Sequence, residues 1–288
     1  MKALFTLGAA AVAATVAFAV TRNDSATDAT LTPSCDGSCC EAAAASFSPL
    51  LKASYVELAS PLPDGAAKGT VSGMVTFTGD KPEAGKLTIG ADAAKGCVED
   101  GHEVDATDRS LLISDKGGIA NAVVTIEVKG AEVKVPEESI MMDQKKCRYE
   151  PHVLVVPVGA TIRFDNSDAV SHNVHTYGTR NENLNKTVAP GSKEEKKLDK
   201  KDMIEVKCDI HPWMQSYIMV TEDPYVAITD ENGAFTVKDV PAGEYDVEVW
   251  HEKLGKAKAK VKIGEDGKAE PLTIEMGEKK KGGGGRRR

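Results

Sequence analysis

Two stretches, SHNVHTYG (residues 171–178) and VKCDIHPWMQSY (residues 206–217), decide how this chain is interpreted. Together they hold three of its six histidines, one of its six cysteines and a methionine. The residues MIEVKC (203–208) alternate in polarity. Ile204, Val206 and Cys208 therefore share one face of a strand, while charged residues occupy the other. This alternation predicts that the Cys208 side chain points into a β-sandwich core.

The residues after Cys208 complete a set of metal ligands. His211 and Met214 follow at intervals of three on a turn that contains Pro212, and His172 lies on a separate strand. One thiolate, two imidazoles and a thioether suit copper that cycles between Cu(I) and Cu(II), whereas zinc gains little from a methionine. A strand and a loop that hold the ligands rigidly would keep both oxidation states in nearly one shape. We therefore expect one mononuclear copper site per chain.

These motifs resemble those of the cupredoxins, the type 1 blue copper proteins. HNVH followed by C-x-x-H-P-x-M is similar to the amicyanin/plastocyanin-like ligand loop, and VGATIRFDNSD before HNV also matches the cupredoxin pattern. The resemblance implies an eight-stranded Greek-key sandwich with copper ligated by His172, Cys208, His211 and Met214. It also implies that electrons leave through the edge of His211.

Two features depart from the cupredoxin pattern. Asp209 follows the ligand cysteine where cupredoxins usually have threonine or serine, and its carboxylate could accept a hydrogen bond from the amide of Asn173. We expect these two residues to lie beside the ligands and to support them without binding the metal. The charged insertion GSKEEKKLDKKD (residues 191–202) is interpreted as a solvated loop.

The segments before and after the copper motifs resemble another family. GTVSGMVTFTG (residues 69–79) and TDENGAFTVKDVPAGEYDVEV (residues 229–249) are similar to strands of carboxypeptidase regulatory-like domains, which have a transthyretin-like sandwich. Asn232–Gly233 is also a strong hairpin signal. The expected fold is therefore all-β, with a cupredoxin inserted in, or packed against, a second, transthyretin-like β-sandwich. For this second module the resemblance implies structure or adhesion.

These observations predict six segments along the chain. They are a signal peptide (1–19), a flexible tether (20–66), the first part of the transthyretin-like sandwich (67–135), the cupredoxin copper domain (136–222), the second part of the transthyretin-like sandwich (223–276) and a disordered basic tail (277–288).

The N-terminal segment bears on localisation. MKALFTLGAAAVAATVAFAV has one lysine, an apolar run and an Ala-x-Ala ending at Ala19, which indicates a cleaved secretory signal. The alternative is an uncleaved membrane anchor, which would be the chain's only membrane contact. We expect a periplasmic or secreted protein.

Charge and motif content exclude several function classes. The formal net charge is −8, and the tail KKKGGGGRRR supplies six positive charges, so the body of the chain is more acidic still. Such a body argues against nucleic-acid binding. No Ser-His-Asp order, P-loop or paired acid/base motif supports an enzyme.

The remaining cysteines fall into two groups. Cys97 and Cys147 lie within predicted folded regions of an exported chain, so a structural disulfide is their most economical use. Cys35, Cys39 and Cys40, in CDGSCC, would either capture copper or form disulfides within or between chains.

Other residues near the motifs have simpler interpretations. His175 lies three residues after His172, so on a strand it faces the other side and is expected at the surface or against the second sandwich. We interpret His152 as a hydrogen-bonded structural histidine. Pro212 and Trp213 are candidates for a docking patch beside His211, although plain loop packing explains Trp213 equally well.

The expected function is one-electron transfer between redox partners, one of them a protein such as a c-type cytochrome. Two alternatives stay open at this point. The chain could bind and deliver copper, with CDGSCC feeding the site, or it could be a structural surface protein whose copper stabilises the fold.

Overall fold

Strands form all the regular secondary structure of the described residues. A computed structural model describes residues 67–277, except residue 93 and residues 98–102. The predicted signal peptide, the tether with CDGSCC and the basic tail from residue 278 onward therefore lie outside the described residues. None of the described residues forms a helix that could span a membrane. The strands are β1 (Lys68–Phe77), β2 (Val123–Glu127), β3 (Ile140–Lys145), β4 (Arg148–Glu150), β5 (Val153–Pro157), β6 (Thr161–Asn166), β7 (His172–Tyr177), β8 (Asn185–Val188), β9 (Lys193–Lys197), β10 (Asp202–Lys207), β11 (Gln215–Thr221), β12 (Val226–Ile228), β13 (Ala234–Pro241), β14 (Gly243–His251), β15 (Gly255–Ile263) and β16 (Leu272–Met276).

Strands β3 to β11 form two sheets, which we call the central sandwich. One sheet has the order β4-β3-β6-β9 and the other β5-β11-β10-β7-β8. Along β6, partly buried and fully buried residues alternate, and the inward side chains Ile162 and Phe164 reach the core. Ile204 and Val206 of β10 are also buried, as the alternation predicts. The face of β10 that carries Ile204 and Val206, and that Cys208 continues, therefore points into the core.

The central sandwich has nine strands rather than the eight implied by the resemblance. The insertion interpreted as a solvated loop contributes β9, which pairs antiparallel with β6. Its sequence KEEKK is entirely charged, so the expectation of a loop followed from composition. The strand forms nevertheless because β6 offers an unpaired edge, and lysine and glutamate suit an edge strand that faces water.

The remaining strands form a second pair of sheets, which we call the outer sandwich. Its sheets have the orders β13-β1-β16 and β12-β2-β14-β15. Strands from before and after the central sandwich therefore share sheets: β1 pairs with β13 and β16, and β2 pairs with β12 and β14. This topology is what an insertion requires, while the domain boundaries and the transthyretin-like character stay predictions.

The two sandwiches pack against each other through β5 and β2. All five residues of β5 are buried, and so are the first four of β2. β5 is a continuous apolar run, and β2 is one apart from Thr125, which is typical of strands covered on both faces. Val123, Val153, Val155 and Val226 form a separate buried cluster there. His152 Nε2 also lies 2.5 Å from Glu252 Oε1 across this contact, which agrees with its interpretation as a structural histidine.

Asn232–Gly233 forms a turn that does not join a hairpin. The Gly233 N–H donates to Asp230 at 2.9 Å, and Gly233 has a φ of 80°. The flanking strands β12 and β13 belong to different sheets, so the hairpin prediction was wrong. A Cβ at Gly233 would lie 2.5 Å from the Val75 carbonyl, so the glycine also permits close backbone approach.

His251, buried in the outer sandwich, predicts a stability change with pH. Burial lowers the pKa of His251 from 6.5 to about 4, and charge on His152 adds to the effect. The unfolded chain takes up this proton as the pH falls through 6.5, but the folded chain does so only near pH 4. The free energy of unfolding should therefore be greatest above pH 6.5 and lose about 3 kcal/mol from this group by pH 4.

Urea denaturation of the wild type and of His251→Gln at pH 7 and pH 4.5 measures this contribution. We expect the wild type to lose more stability over that interval, since glutamine does not titrate. An identical pH dependence of the two proteins would contradict the prediction.

Candidate metal centre

The predicted ligands are supplied by β7 and by the loop between β10 and β11. β7 begins at His172 and pairs antiparallel with β10, with Thr176 opposite Val206. The ligand loop, residues 208–214, follows β10 directly, so the pairing brings Cys208 beside the start of β7. The Cys208 N–H donates to Met214 O at 3.2 Å, and the Met214 N–H donates to His211 O at 2.9 Å. Backbone hydrogen bonds thus close the loop before any metal arrives.

Three ligand atoms meet in the core. A nitrogen of His172, the sulfur of Cys208 and a nitrogen of His211 all lie within 4.8 Å of one another. The three residues are 0%, 3% and 4% exposed, so bulk water does not surround the site. Met214, which is fully buried, belongs to the same core cluster.

The Cys208 sulfur is surrounded by donors. The N–H groups of Asn173 and His211 each donate to it at 3.3 Å. His211 Nδ1 lies 3.7 Å away. Such an arrangement stabilises a thiolate, which is the form that binds metals.

The protonation of the site follows from these contacts. Burial alone would raise the pKa of Cys208, but hydrogen bonds from His172, His211 and backbone N–H groups outweigh it and lower the pKa to about 6. Burial likewise opposes a charged His172, yet the hydrogen bond to Asp168 and the contact with Cys208 raise its pKa. Cys208 therefore carries a thiolate at neutral pH.

The two histidines face each other through the same ring nitrogen, Nδ1. His172 Nδ1 and His211 Nδ1 are 2.9 Å apart, while His172 Nε2 lies 2.8 Å from Asp168 Oδ2. The carboxylate can only accept at Nε2, so it places the ring proton there. Nδ1 of His172 is therefore the ring nitrogen that faces the ligand cluster.

The contacts of Asn173 and Asp209 beside the ligands differ in detail from the prediction. Asn173 is beside Cys208 as expected, but its Oδ1 accepts the backbone N–H of Asp209 at 3.3 Å. The Asn173 amide donates instead to Asn185 Oδ1 at 2.9 Å. The Asp209 carboxylate turns outward to His175 Nδ1, 3.0 Å away, where the half-exposed carboxylate retains contact with water.

His175 points away from the ligands. It stacks on Tyr177 with ring centroids 4.2 Å apart, in addition to its hydrogen bond with Asp209. This agrees with the expectation that a residue three after His172 faces the opposite side of the strand.

Trp213 is not part of an exposed patch. It is 7% exposed, and its Nε1–H donates to Cys147 O at 3.0 Å. Of the two interpretations of Trp213, loop packing is therefore the correct one and the docking patch is wrong, because the indole packs in the apolar core and donates to a buried acceptor. Pro212 is exposed, as predicted. The exposed apolar side chain that the sequence interpretation missed is Ile210, which is 47% exposed.

Cys97 and Cys147 form a disulfide, as predicted. Cys208 is the free cysteine among the described residues. The disulfide lies close to the ligands, since its sulfurs are within 4.8 Å of a ring nitrogen of His211. The sequence did not indicate this proximity, because the three residues are far apart along the chain.

Two further residues support the site and were missed. Asp168 accepts from His172, and the Tyr149 hydroxyl donates to Asn173 O. Asp168 ends the stretch VGATIRFDNSD, which matches the cupredoxin pattern, but that match gave its carboxylate no role. Tyr149 carries no sequence signal at all.

The donor set fits copper. A thiolate and two imidazoles whose Nδ1 atoms face each other, enclosed with a buried methionine, are the soft and borderline ligands that copper prefers. His172, Cys208 and His211 would hold the ion, and Met214 is the remaining candidate.

Comparison with known proteins agrees with this assignment over part of the chain. Residues 136–221 match the family model of copper binding proteins of the plastocyanin/azurin family. No curated protein matches the chain.

Several solved structures match between 29% and 34% of the chain. A copper-containing nitrite reductase from Thermus scotoductus is 23% identical, with a TM-score of 0.29, over 34% of this chain and 25% of its own. A purple cupredoxin from Nitrosopumilus maritimus is 21% identical, with a TM-score of 0.26, over 29% of this chain and 100% of its own. A reduced amicyanin variant is 24% identical, with a TM-score of 0.28, over 34% of this chain and 98% of its own. These comparisons do not identify the outer sandwich. Residues 136–221 are a cupredoxin domain of the plastocyanin/azurin family.

Proposed function

We propose that this protein is an exported mononuclear copper protein that carries one electron at a time between redox partners. The observation that carries the proposal is the buried cluster of His172, Cys208 and His211, in which the thiol has a pKa of about 6. Copper, when bound, supplies reversible one-electron chemistry. The family match of residues 136–221 adds support.

The protein fixes the positions of its ligand atoms through hydrogen bonds. The backbone N–H groups of Asn173 and His211 both fix the Cys208 sulfur, and Asp168 fixes the ring of His172. These groups are already ordered and screened from water. The ligands and their surroundings therefore move little when the charge of the site changes by one. Low reorganisation favours fast electron exchange over substrate turnover.

The proposed export and the proposed partner rest on different observations. The N-terminal sequence has a signal-like apolar run, and a disulfide such as Cys97–Cys147 persists in an oxidising compartment. The periplasm or the extracellular space is therefore the proposed location. A c-type cytochrome is the proposed partner class, docking where Ile210 and Pro212 are exposed next to His211.

The decisive experiment is to load the purified protein with copper and to measure its reduction potential and its electron exchange with a c-type cytochrome by stopped flow. A carrier should show a reversible, moderately positive potential and rapid exchange. A copper-delivery protein would instead lose its copper readily to a competing chelator and exchange electrons slowly. That second result would overturn the proposal.

A variant of Ile210 tests the exit route. Ile210→Glu should slow exchange with the cytochrome by about tenfold, because a charge in an apolar contact must be desolvated on docking. The copper spectrum should not change, since Ile210 is no ligand. Met141→Glu, which places the same charge on an equally exposed residue of β3, is the matched control and should exchange at the wild-type rate. Equal rates for the two variants would mean that electrons leave elsewhere.

A further inference from the structure

The turn that joins β3 to β4 has an unusual backbone. Lys146 and Cys147, its two central residues, have φ values of 54° and 51°. Two-residue hairpin turns of this kind normally use glycine, asparagine or aspartate, because other residues adopt positive φ at a conformational cost. Something outside the turn must therefore hold this conformation.

The Asp168 carboxylate is the first of these supports. Its Oδ1 accepts the Lys146 N–H at 2.5 Å and its Oδ2 accepts the Cys147 N–H at 2.8 Å. The same Oδ2 accepts from His172 Nε2 at 2.8 Å. Asp168 is 8% exposed, so these partners replace its hydration almost completely.

Two more attachments connect the turn to the ligand loop and to the chain before it. The Trp213 indole, from the ligand loop, donates to Cys147 O, and the Cys147 sulfur is bonded to Cys97. One small turn thus contacts both segments that supply ligands: β7 through Asp168, and the loop through Trp213.

We propose that Asp168 is a positioning residue, which holds the ligand His172 against this disulfide-bonded turn and favours the Cu(II) state of the site. This inference rests on the proposed copper function. It concerns a residue that contacts no metal and acts only through the His172 ring.

The direction of the effect follows from charge. A carboxylate on the far nitrogen of an imidazole ligand strengthens its donation and places negative charge near the ion. Stronger donation by the imidazole and nearby negative charge both stabilise Cu(II) more than Cu(I). Outer-shell partners of this kind contribute about 10–100-fold to metal affinity. If Asp168→Asn weakens Cu(II) binding about tenfold more than Cu(I) binding, the reduction potential rises by about 59 mV.

Three variants isolate this role. Asp168→Asn keeps the shape but removes the charge and presents an N–H₂ group to donors. Asp168→Glu restores the carboxylate on a longer side chain. Asp143→Asn is the matched control, because Asp143 accepts the backbone N–H of Ser167, next to Asp168, without contacting a ligand. Potential, visible spectrum and the melting temperature of the metal-free protein are measured for each.

We expect Asp168→Asn to raise the potential and shift the copper spectrum, Asp168→Glu to recover part of both, and Asp143→Asn to match the wild type. Equal potentials for wild type and Asp168→Asn would overturn the inference. A wild type that binds copper without the thiolate absorption would instead overturn the proposed function. Failure of the inference and failure of the proposed function are therefore distinguishable.

A measurement on the wild type covers the case in which Asp168→Asn does not fold. In the Cu(I) protein, proton NMR should show a His172 Nε2–H resonance that is protected from solvent exchange, because Asp168 accepts it in the core. Absence of a protected resonance at this nitrogen would contradict the assignment on its own.

Discussion

Replacing Cys208 with serine is expected to abolish the intense visible absorption of the copper-loaded protein. That absorption arises from charge transfer between a thiolate and Cu(II), and Cys208 is the free cysteine among the described residues. A serine hydroxyl does not ionise near neutral pH, so it cannot replace a thiol whose pKa is about 6. Titration of both proteins with Cu(II), followed by absorption spectroscopy, measures the effect.

His175→Gln is the matched control for this experiment. It removes a histidine that lies near the site but forms a hydrogen bond with Asp209 on the outer side of β7. The colour should survive in this variant, and circular dichroism should show a β fold in both. A Cys208→Ser protein that retains the absorption would show that another cysteine, outside the described residues, binds the metal.

Changing Trp213 to glutamate is expected to unfold or strongly destabilise the central sandwich. The indole is 7% exposed and donates to Cys147 O. Loss of a buried tryptophan costs about 3–5 kcal/mol, and an unpaired buried carboxylate adds to that loss. Urea denaturation of the metal-free protein measures the change in the free energy of unfolding.

Pro212→Glu introduces the same charge one residue earlier, at an exposed position. Its stability should stay close to that of the wild type, since surface substitutions change it little. Equal denaturation midpoints for the two variants would mean that Trp213 is exposed in solution and that the ligand loop packs differently.

Sequence patterns were sufficient wherever a property is local. Period-two alternation in MIEVKC predicted that Ile204 and Val206 are buried, and the structure confirms both. Residue chemistry and spacing predicted which side chains meet at the metal centre, because a loop of seven residues can bring only a few groups together. His175 was also assigned to the outer side correctly, since strand geometry alone decides it.

Predictions failed where distant elements decide the outcome. The charged segment at residues 193–197 is a strand only because β6 offers it an edge. Asn232–Gly233 turns between sheets because its flanking strands find partners in different layers. Trp213 is buried because Cys147, 66 residues earlier in sequence, supplies a backbone acceptor.

The sequence by itself therefore determined the all-β class, the position of the ligand loop and the identities of His172, Cys208 and His211 as neighbours. Only the tertiary structure decided how those ligands are supported. Asp168 accepts at once from His172 and from the turn at Lys146–Cys147, and such a contact joins groups that no local periodicity relates. The physical reason is that a buried carboxylate has to satisfy its hydrogen bonds with whichever donors the packing brings within reach.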